Sequence, residues 1–154
     1  ARQCSETCHI GELQGQDVQY LMKVESPAPI AMTSAPGKRL PANCTALGKA
    51  LLCEHTLEEL KALFNGKLVR LTEHSVVDID VLYQQLLEVR RTGIAQEKEE
   101  NYEFVQCIAT PLYKNGKPVL ALSISFPTFR YTEEKNEKLK KLLLDAKMSL
   151  ELII

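Results

Sequence analysis

The sequence predicts one α+β domain with a largely antiparallel sheet flanked by helices. Its 154 residues are 45% hydrophobic and 25% charged, which is enough apolar material for a single core. Segments with the two-residue alternation of strands stand near both ends of the chain, and segments with helical periodicity lie between and after them. Because strands and helices come in separate runs, an antiparallel sheet is favoured over repeated strand–helix–strand units.

The chain begins with a predicted hairpin. Residues 9–13 and 18–24 alternate apolar and polar side chains, and Gln14-Gly15-Gln16 between them supplies a turn glycine. A short third strand is predicted over residues 30–33. The chain-breaking residues within 35–39 predict a loop.

Three helices are predicted in the middle of the chain. Thr45 can cap the first, which follows a proline turn. The capping-box pattern of residues 56–59 opens the second, and Asn65-Gly66 ends it. Asp78 can cap the third, which ends near Gly93.

The second half of the chain returns to strands and ends in a helix. Residues 97–103 are strongly acidic and are predicted to form a loop. Residues 104–113 and 118–126 are the best strand candidates, joined through residues 114–117. Thr132 opens a final helix. Its apolar stripe consists of Leu139, Leu142, Leu143, Ala146 and Leu150.

Two serines on the last predicted strand suggest a polar surface. Ser123 and Ser125 share one face, while the opposite face is apolar and is predicted to be the main core side. Whether Cys107 on the neighbouring strand joins the serines depends on the hairpin register. A two-residue turn at Asn115-Gly116 pairs Cys107 with Ile124 and turns the thiol away from them.

A three-residue loop over residues 114–116 gives the other register. It pairs Cys107 with Ser123, and it pairs Val105 with Ser125. Asn-Gly favours the shorter turn, but that turn would split the small apolar residues of the two strands between opposite faces. We therefore predict the three-residue loop and a concave, semi-polar surface that these four side chains line.

The start of the first helix is the second polar feature. Small residues around Ala46 leave the first backbone amides unshielded, so that a small anion can reach them. The alternative is an ordinary capped helix packed by Leu47, Leu51 and Leu52. Two hydroxyls, a thiol and an open helix start together suit a small carboxylate or a hydroxylated acid.

Composition excludes several classes of function. A net charge of −1 gives no basic footprint for nucleic acid. No apolar run approaches the roughly 20 residues of a membrane-spanning helix, and the start has no signal-like pattern. We therefore expect a cytoplasmic domain that contacts no membrane. The abrupt opening at Ala1-Arg2-Gln3 suggests a fragment of a longer protein.

The cysteines predict neither a disulfide framework nor a metal site. There are five of them, an odd number without a C-x-x-C pair, which indicates reduced thiols. Cys4, Cys8 and His9 do not match the spacing of a closed zinc site, and no second ligand pair follows. No metal and no cofactor are therefore predicted.

Several ordered stretches resemble the effector-binding domain of IclR-type transcriptional regulators. They are residues 6–11 (ETCHIG), 39–41 (RLP), 45–52 (TALGKALL), 107–111 (CIATP) and 122–127 (LSISFP). The resemblance runs from Glu6 to the last helix. It implies a GAF-like fold, an effector-binding domain over residues 1–154, and a winged helix-turn-helix domain before Ala1 that makes all DNA contacts. It also implies a homodimer or homotetramer and a repressor of a catabolic operon.

The resemblance also implies where the effector binds. The candidate contacts are Met32, Leu40, Ala46, Leu47, Glu97, Val105, Cys107, Ser123 and Ser125. Glu97 stands where the family commonly has an aspartate, so a longer side chain reaches the pocket edge. Residues 123–130 look most like members that respond to sugar acids, so the expected effector is a small organic or sugar acid.

Two other classes of function remain open at this point. A thiol-dependent enzyme on the same scaffold would use Cys107, with His9 as the partner imidazole. Against this, Cys107 lies within a predicted strand and not at a helix N-terminus. The third reading is a protein–protein module that binds no small molecule.

Overall fold

The computed structural model describes residues 1–27 and 34–154, and the predicted α+β class is confirmed. Its six strands are β1 (Thr7–Gln14), β2 (Asp17–Val24), β3 (Arg39–Pro41), β4 (Ala95–Lys98), β5 (Val105–Lys114) and β6 (Lys117–Pro127). They form one sheet in the order β3-β2-β1-β6-β5-β4, with every neighbouring pair antiparallel.

Helices cover both faces of the sheet. They are α1 (Ala46–Leu52), α2 (Leu57–Phe64), α3 (Ile79–Thr92) and α4 (Glu133–Glu151). The larger core cluster joins α1, α2 and α3 to one face, and a smaller cluster joins α4 to the other. We call these the α1 face and the α4 face of the sheet. The prediction that the apolar face of β6 is the main core side is therefore wrong, because that face meets only α4.

The predicted helix caps are confirmed. The Thr45 hydroxyl accepts a hydrogen bond from the Gly48 amide at the start of α1. Thr56 and Glu59 form a complete capping box on α2. The Asp78 carboxylate accepts two amide hydrogen bonds at the start of α3, so the local sequence alone fixes where these helices begin.

Two short strands, β3 and β4, are not predicted and only overlap the ends of predicted loops. Residues 39–41 form β3, which pairs with residues 17–19 of β2. Residues 95–98 form β4, which pairs with β5. Ala95 and Glu97 of this strand are buried, while Gln96 and Lys98 are exposed. One of the two buried positions is an acidic residue, so the sequence lacks the alternation of apolar and polar residues that predicts a strand. The third strand predicted over residues 30–33 lies outside the described residues.

The β5–β6 hairpin uses the shorter turn, so the predicted three-residue loop is wrong. Lys114 pairs with Lys117, and both central residues of the turn have positive φ, 53° at Asn115 and 75° at Gly116. A bulge then shifts the register between Leu112 and Tyr113. The shift leaves Val119 without a partner in the ladder, and every pair farther from the turn is displaced by one residue.

Because of this bulge, the Cys107 thiol lies on the same face of the sheet as Ser123 and Ser125, although the turn is the shorter one. Cys107 pairs with Ser125, where the prediction paired it with Ser123. Val105 pairs with Pro127, where the prediction paired it with Ser125. The predicted face is therefore right, although both predicted pairings are displaced by two residues.

Helix α1 lies buried along its whole length on the α1 face. Close packing requires glycine at position 48 of this helix. A Cβ atom there would stand 2.0 Å from the carbonyl oxygen of Ala42, in the 3-10 turn before the helix. The small residue therefore lets two backbone segments meet, and this close approach holds the start of α1 against the sheet.

Candidate functional site

Buried polar side chains cluster on the α1 face of the central strands. The Cys107 sulfur lies 3.0 Å from the Ser125 hydroxyl oxygen. Ser123 stands two residues earlier on β6 and faces the same way. Both serines are almost completely buried, at 2% and 3% exposure. Burying polar side chains costs free energy that apolar side chains at the same positions would not cost, so core packing alone does not explain this cluster.

His9 adds an imidazole to the cluster from β1. It pairs directly with Ser123 across the β1–β6 ladder. Its Nε2 lies 2.7 Å from the hydroxyl oxygen of Ser34, and its ring meets the Tyr20 ring edge-on at 5.0 Å. Its buried Nδ1 atom has no hydrogen-bond partner among the described residues. Burial, with a smaller effect of the Lys23 charge, lowers the pKa of His9 to about 4, so the ring is neutral at pH 7.

Glu97 approaches the same thiol from β4. It pairs with Cys107 in the β4–β5 ladder, and its carboxyl accepts a hydrogen bond of 3.0 Å from the Glu100 amide. Burial raises the pKa of Glu97 to about 7, so this group can be a hydrogen-bond donor near neutral pH. Burial, and then repulsion from Glu97, raises the pKa of the Cys107 thiol well above its ordinary value. Cys107 is therefore a neutral thiol.

A buried ion pair fixes α1 beside these groups. The Lys49 ammonium lies 2.5 Å from the Glu100 carboxylate, and both side chains are almost fully enclosed. The carboxylate also accepts a hydrogen bond from the Val76 amide at 3.3 Å. Ser75 donates to the Glu100 carbonyl at 2.7 Å. The start of α1, the segment before α3 and the segment after β4 thus form one connected unit.

The first amides of α1 divide into two sets. Those of Gly48 and Lys49 are bonded to Thr45, through its hydroxyl and its carbonyl. The structure records no acceptor among the described residues for the amides of Ala46 and Leu47, which are the two positions predicted to contact an effector. Both residues are almost completely buried, which agrees with the alternative of a packed, capped helix, while their two amides still lack an acceptor among the described residues.

The structure brings most of the predicted site residues to one place. Leu40, Ala46, Leu47 and Cys107 belong to the core cluster on the α1 face. Glu97, Ser123 and Ser125 stand on that face by their strand register. Val105 is on the same face but two residues farther along β5, beside Pro127. Met32 lies outside the described residues.

Three polar residues of this region were not among the predicted site residues. The sequence offers His9 only as the imidazole partner in the thiol-enzyme alternative, and it assigns no role to Lys49 or Glu100. The signal that could have identified the pair is a lysine inside the apolar run of α1, because lysine is almost never fully buried unless it is paired. The matching acid lies 51 residues away, and only the fold identifies it.

The described contacts do not form a thiol–imidazole pair. Cys107 is bonded to Ser125, and the Nε2 atom of His9 is bonded to Ser34. A raised thiol pKa also opposes nucleophilic chemistry, which needs the thiolate. All five cysteines are free thiols in the structure.

The described part of the chain contains neither a metal-ligand cluster nor a membrane-spanning helix. Within residues 1–27 and 34–154, no group of three or more histidine, cysteine or acidic side chains is arranged to hold a metal ion. Over the same ranges, no helix has the length and hydrophobicity to cross a bilayer.

Comparison with known proteins gives a consistent result. The family described as bacterial transcriptional regulator IclR C-terminal matches residues 1–151. The HTH-type transcriptional regulator KdgR of Escherichia coli K12 is 34% identical over 148 residues, which are 95% of this chain and 56% of KdgR. This chain thus spans about half the length of that relative.

Two solved structures extend the comparison to three dimensions. The C-terminal domain of E. coli KdgR superposes with a TM-score of 0.87 at 32% identity, covering 98% of this chain and 88% of that one. The inducer-binding domain of PobR from Acinetobacter, a double mutant in complex with 3-hydroxybenzoic acid, gives a TM-score of 0.87 at 26% identity. That match covers 99% of this chain and 91% of the PobR domain.

Proposed function

Because this chain is an IclR-type C-terminal domain, from a family of bacterial transcriptional regulators and not of enzymes, we propose that it senses a small organic or sugar acid. The observation that carries the proposal is the convergence of Cys107, Ser123 and Ser125 with Glu97 beside the first turn of α1. Glu97 and the two serines are buried, and Cys107 is partly buried, on a face that otherwise forms the main core.

The chemistry of the cluster favours an oxygen-rich acid. A buried polar group that lacks a partner costs about 1–3 kcal/mol, and a ligand that supplies the partner recovers this energy. Neutral Cys107, and Glu97 whenever it is protonated, are hydrogen-bond donors that suit a carboxylate or hydroxyl oxygen. The unpartnered Nδ1 of His9 offers one more polar contact. Each hydrogen bond to a charged group adds about 1.5–3 kcal/mol, so two or three of them support micromolar binding in a dry site.

The remaining predicted contacts complete the proposed pocket. We carry over Leu40 and Val105 as its apolar wall, and the amides of Ala46 and Leu47, which have no acceptor among the described residues, as contacts of the carboxylate. Met32, which lies outside the described residues, stays an expectation of the family resemblance. The PobR complex supports this choice of ligand class, because its ligand, 3-hydroxybenzoic acid, is an acid that carries a hydroxyl group. Glu97 extends farther than an aspartate would, and this favours a compact effector.

The proposed mechanism couples the pocket to DNA through assembly. The effector would bind between the sheet and α1 and change how two or four copies of this domain associate. That change would reposition winged helix-turn-helix domains outside this chain, in a cytoplasmic repressor of a catabolic operon. Coupling of this kind typically amounts to about 1–3 kcal/mol.

A thermal-shift screen of small organic and sugar acids tests the proposal. A hit at 100 times its dissociation constant should stabilise the chain by about 2.7 kcal/mol. The double variant Ser123→Ala/Ser125→Ala should lose most of that shift. Ser149→Ala, which removes an exposed hydroxyl from α4, is the matched control and should keep it. A hit that stabilises the double variant as much as the wild type would place the ligand elsewhere.

A further inference from the structure

Two cysteines approach each other on the α4 face, away from the proposed effector pocket. The sulfur atoms of Cys4 and Cys8 are 3.7 Å apart, where β1 begins. Both side chains point to the carbonyl oxygen of Glu6, at 3.5 Å and 3.7 Å. The Cys4 thiol also donates to the Ala1 carbonyl at 3.3 Å. The turn before β1 therefore folds one thiol back onto the other.

We propose that Cys4 and Cys8 form an oxidisable dithiol site, which a low-molecular-weight disulfide such as oxidised glutathione converts reversibly into an intramolecular disulfide. The sulfur–sulfur distance must shorten to about 2 Å, and this requires a movement of less than 2 Å. The proposal is independent of effector binding, since His9 and the serines face the opposite side of the sheet from Cys8.

The two thiols differ in reactivity. The hydrogen bond from Cys8 lowers the pKa of the Cys4 thiol, and the same contact raises the pKa of Cys8. Cys4 therefore carries the larger thiolate fraction and is the group that attacks first.

The reaction is balanced with one equivalent of oxidised glutathione. The Cys4 thiolate attacks one sulfur of the reagent, forming a mixed disulfide and releasing one glutathione thiolate. The Cys8 thiol then loses its proton to solvent, and the resulting thiolate attacks the Cys4 sulfur and expels the second glutathione thiolate. Overall, two protein thiols are oxidised to one disulfide, and one glutathione disulfide is reduced to two glutathione molecules.

The site is accessible to such a reagent. Both cysteines are partly exposed and line a half-open cleft with a volume of about 220 Å³ between β1, β2 and α4. Cys44 and Cys53 are buried in the core, and Cys107 contacts a serine hydroxyl. Among the described residues, no other thiol pair lies within contact distance.

The test is to equilibrate the reduced chain with mixtures of reduced and oxidised glutathione, alkylate the remaining thiols, and measure the peptide masses. The peptide that contains both Cys4 and Cys8 should escape alkylation and lose about 2 Da, the mass of two hydrogen atoms. Adding a strong reductant should restore alkylation at both positions. Brief alkylation of the reduced chain at neutral pH should label Cys4 before Cys8.

Variants separate this reaction from general thiol oxidation. Cys4→Ser and Cys8→Ser should each abolish the mass loss, while Cys107→Ser should leave it unchanged. Cys8→Ser should instead accumulate the glutathione adduct on Cys4. The proposal is overturned if the wild type also stops at a stable adduct, if the disulfide links two chains, or if both thiols remain reduced at every glutathione ratio.

Discussion

Burial shifts the pKa values of two groups of the proposed pocket in opposite directions. The ordinary pKa of a glutamate is 4.5, and burial raises that of Glu97 to about 7. The ordinary pKa of a histidine is 6.5, and burial lowers that of His9 to about 4. Between pH 4.5 and 6.5, Glu97 is therefore protonated in the folded chain but ionised in the unfolded chain. His9 is neutral in the folded chain but protonated in the unfolded chain.

The signs of the two effects on stability follow by linkage. Because the folded pKa of Glu97 is above its unfolded value, the free energy of unfolding falls as the pH rises from 4.5 to 7. Because the folded pKa of His9 is below its unfolded value, the free energy of unfolding falls as the pH drops from 6.5 to 4. The two contributions nearly cancel in the wild type, so single variants are needed to separate them.

We expect Glu97→Gln to gain stability relative to wild type as the pH rises. A pKa difference from 4.5 to about 7 is worth roughly 3 kcal/mol, which should be the change in relative stability between pH 4.5 and pH 8. Urea unfolding at several pH values measures it. Glu134→Gln, which alters an exposed carboxylate on α4, is the matched control. A Glu97→Gln difference that stays constant with pH would contradict the prediction.

Single residues show which part of the site could be predicted from sequence. Ser123 and Ser125 could be placed on one face because strand alternation depends only on the local chain. His9 could not be assigned to the same cluster, because its neighbours Ser34 and Tyr20 reach it through tertiary contacts. A bulge between Ile10 and Gly11 also shifts the β1–β2 register, and this shift decides which residue of β2 lies beside His9.

At the level of whole elements, the β5–β6 hairpin shows why register is hard to predict. The Asn115-Gly116 turn is what a local rule favours, and the structure has it. The position of Cys107 depends on the unpaired residue Val119, which no turn rule predicts. Sequence therefore predicted the strands and the shared face, while the residue pairing followed from packing on both sides of the sheet.

Helix α1 is held by a buried charge as well as by apolar packing. We expect Lys49→Met to destabilise the chain by about 3–5 kcal/mol, because it leaves the Glu100 carboxylate buried without its cation. The variant Lys49→Met/Glu100→Gln should recover a large part of this loss. Glutamine keeps an acceptor for the Val76 amide and carries no charge.

Chemical unfolding of the four-member mutant cycle measures this coupling. In a chain of this size, 1 kcal/mol corresponds to roughly 2–4 °C in melting temperature, so the single variant should also melt well below the double variant. Equal losses in Lys49→Met and in the double variant would show that the lysine acts through its stem and not through its charge.

At the scale of the whole molecule, the first and last elements are connected across the α4 face. Strand β1 lies in the middle of the sheet, between β2 and β6. Just before β1, the buried Glu6 carboxylate meets Arg130 at 3.0 Å and Lys135 at 2.5 Å. These cations flank the start of α4, so one acidic side chain links residues that are more than 120 positions apart.

We expect Glu6→Gln to destabilise the whole domain by roughly 2–3 kcal/mol. Its two cations are about one-quarter exposed and regain water, so the loss should be smaller than for the fully enclosed Lys49 pair. Glu137→Gln is the matched control on α4, because the Glu137 side chain that pairs with Lys140 is 62% exposed. That control should cost less than about 1 kcal/mol.

Urea unfolding at low and at high salt distinguishes the two carboxylates. Salt screens exposed charges much more than enclosed ones, so 1 M salt, with a screening length of about 3 Å, should remove most of the Glu137→Gln effect. The Glu6→Gln effect should persist, because the Glu6 side chain is only 3% exposed. If both variants respond to salt alike, the Glu6 contacts behave as an ordinary surface pair, and apolar packing alone holds α4 on the sheet.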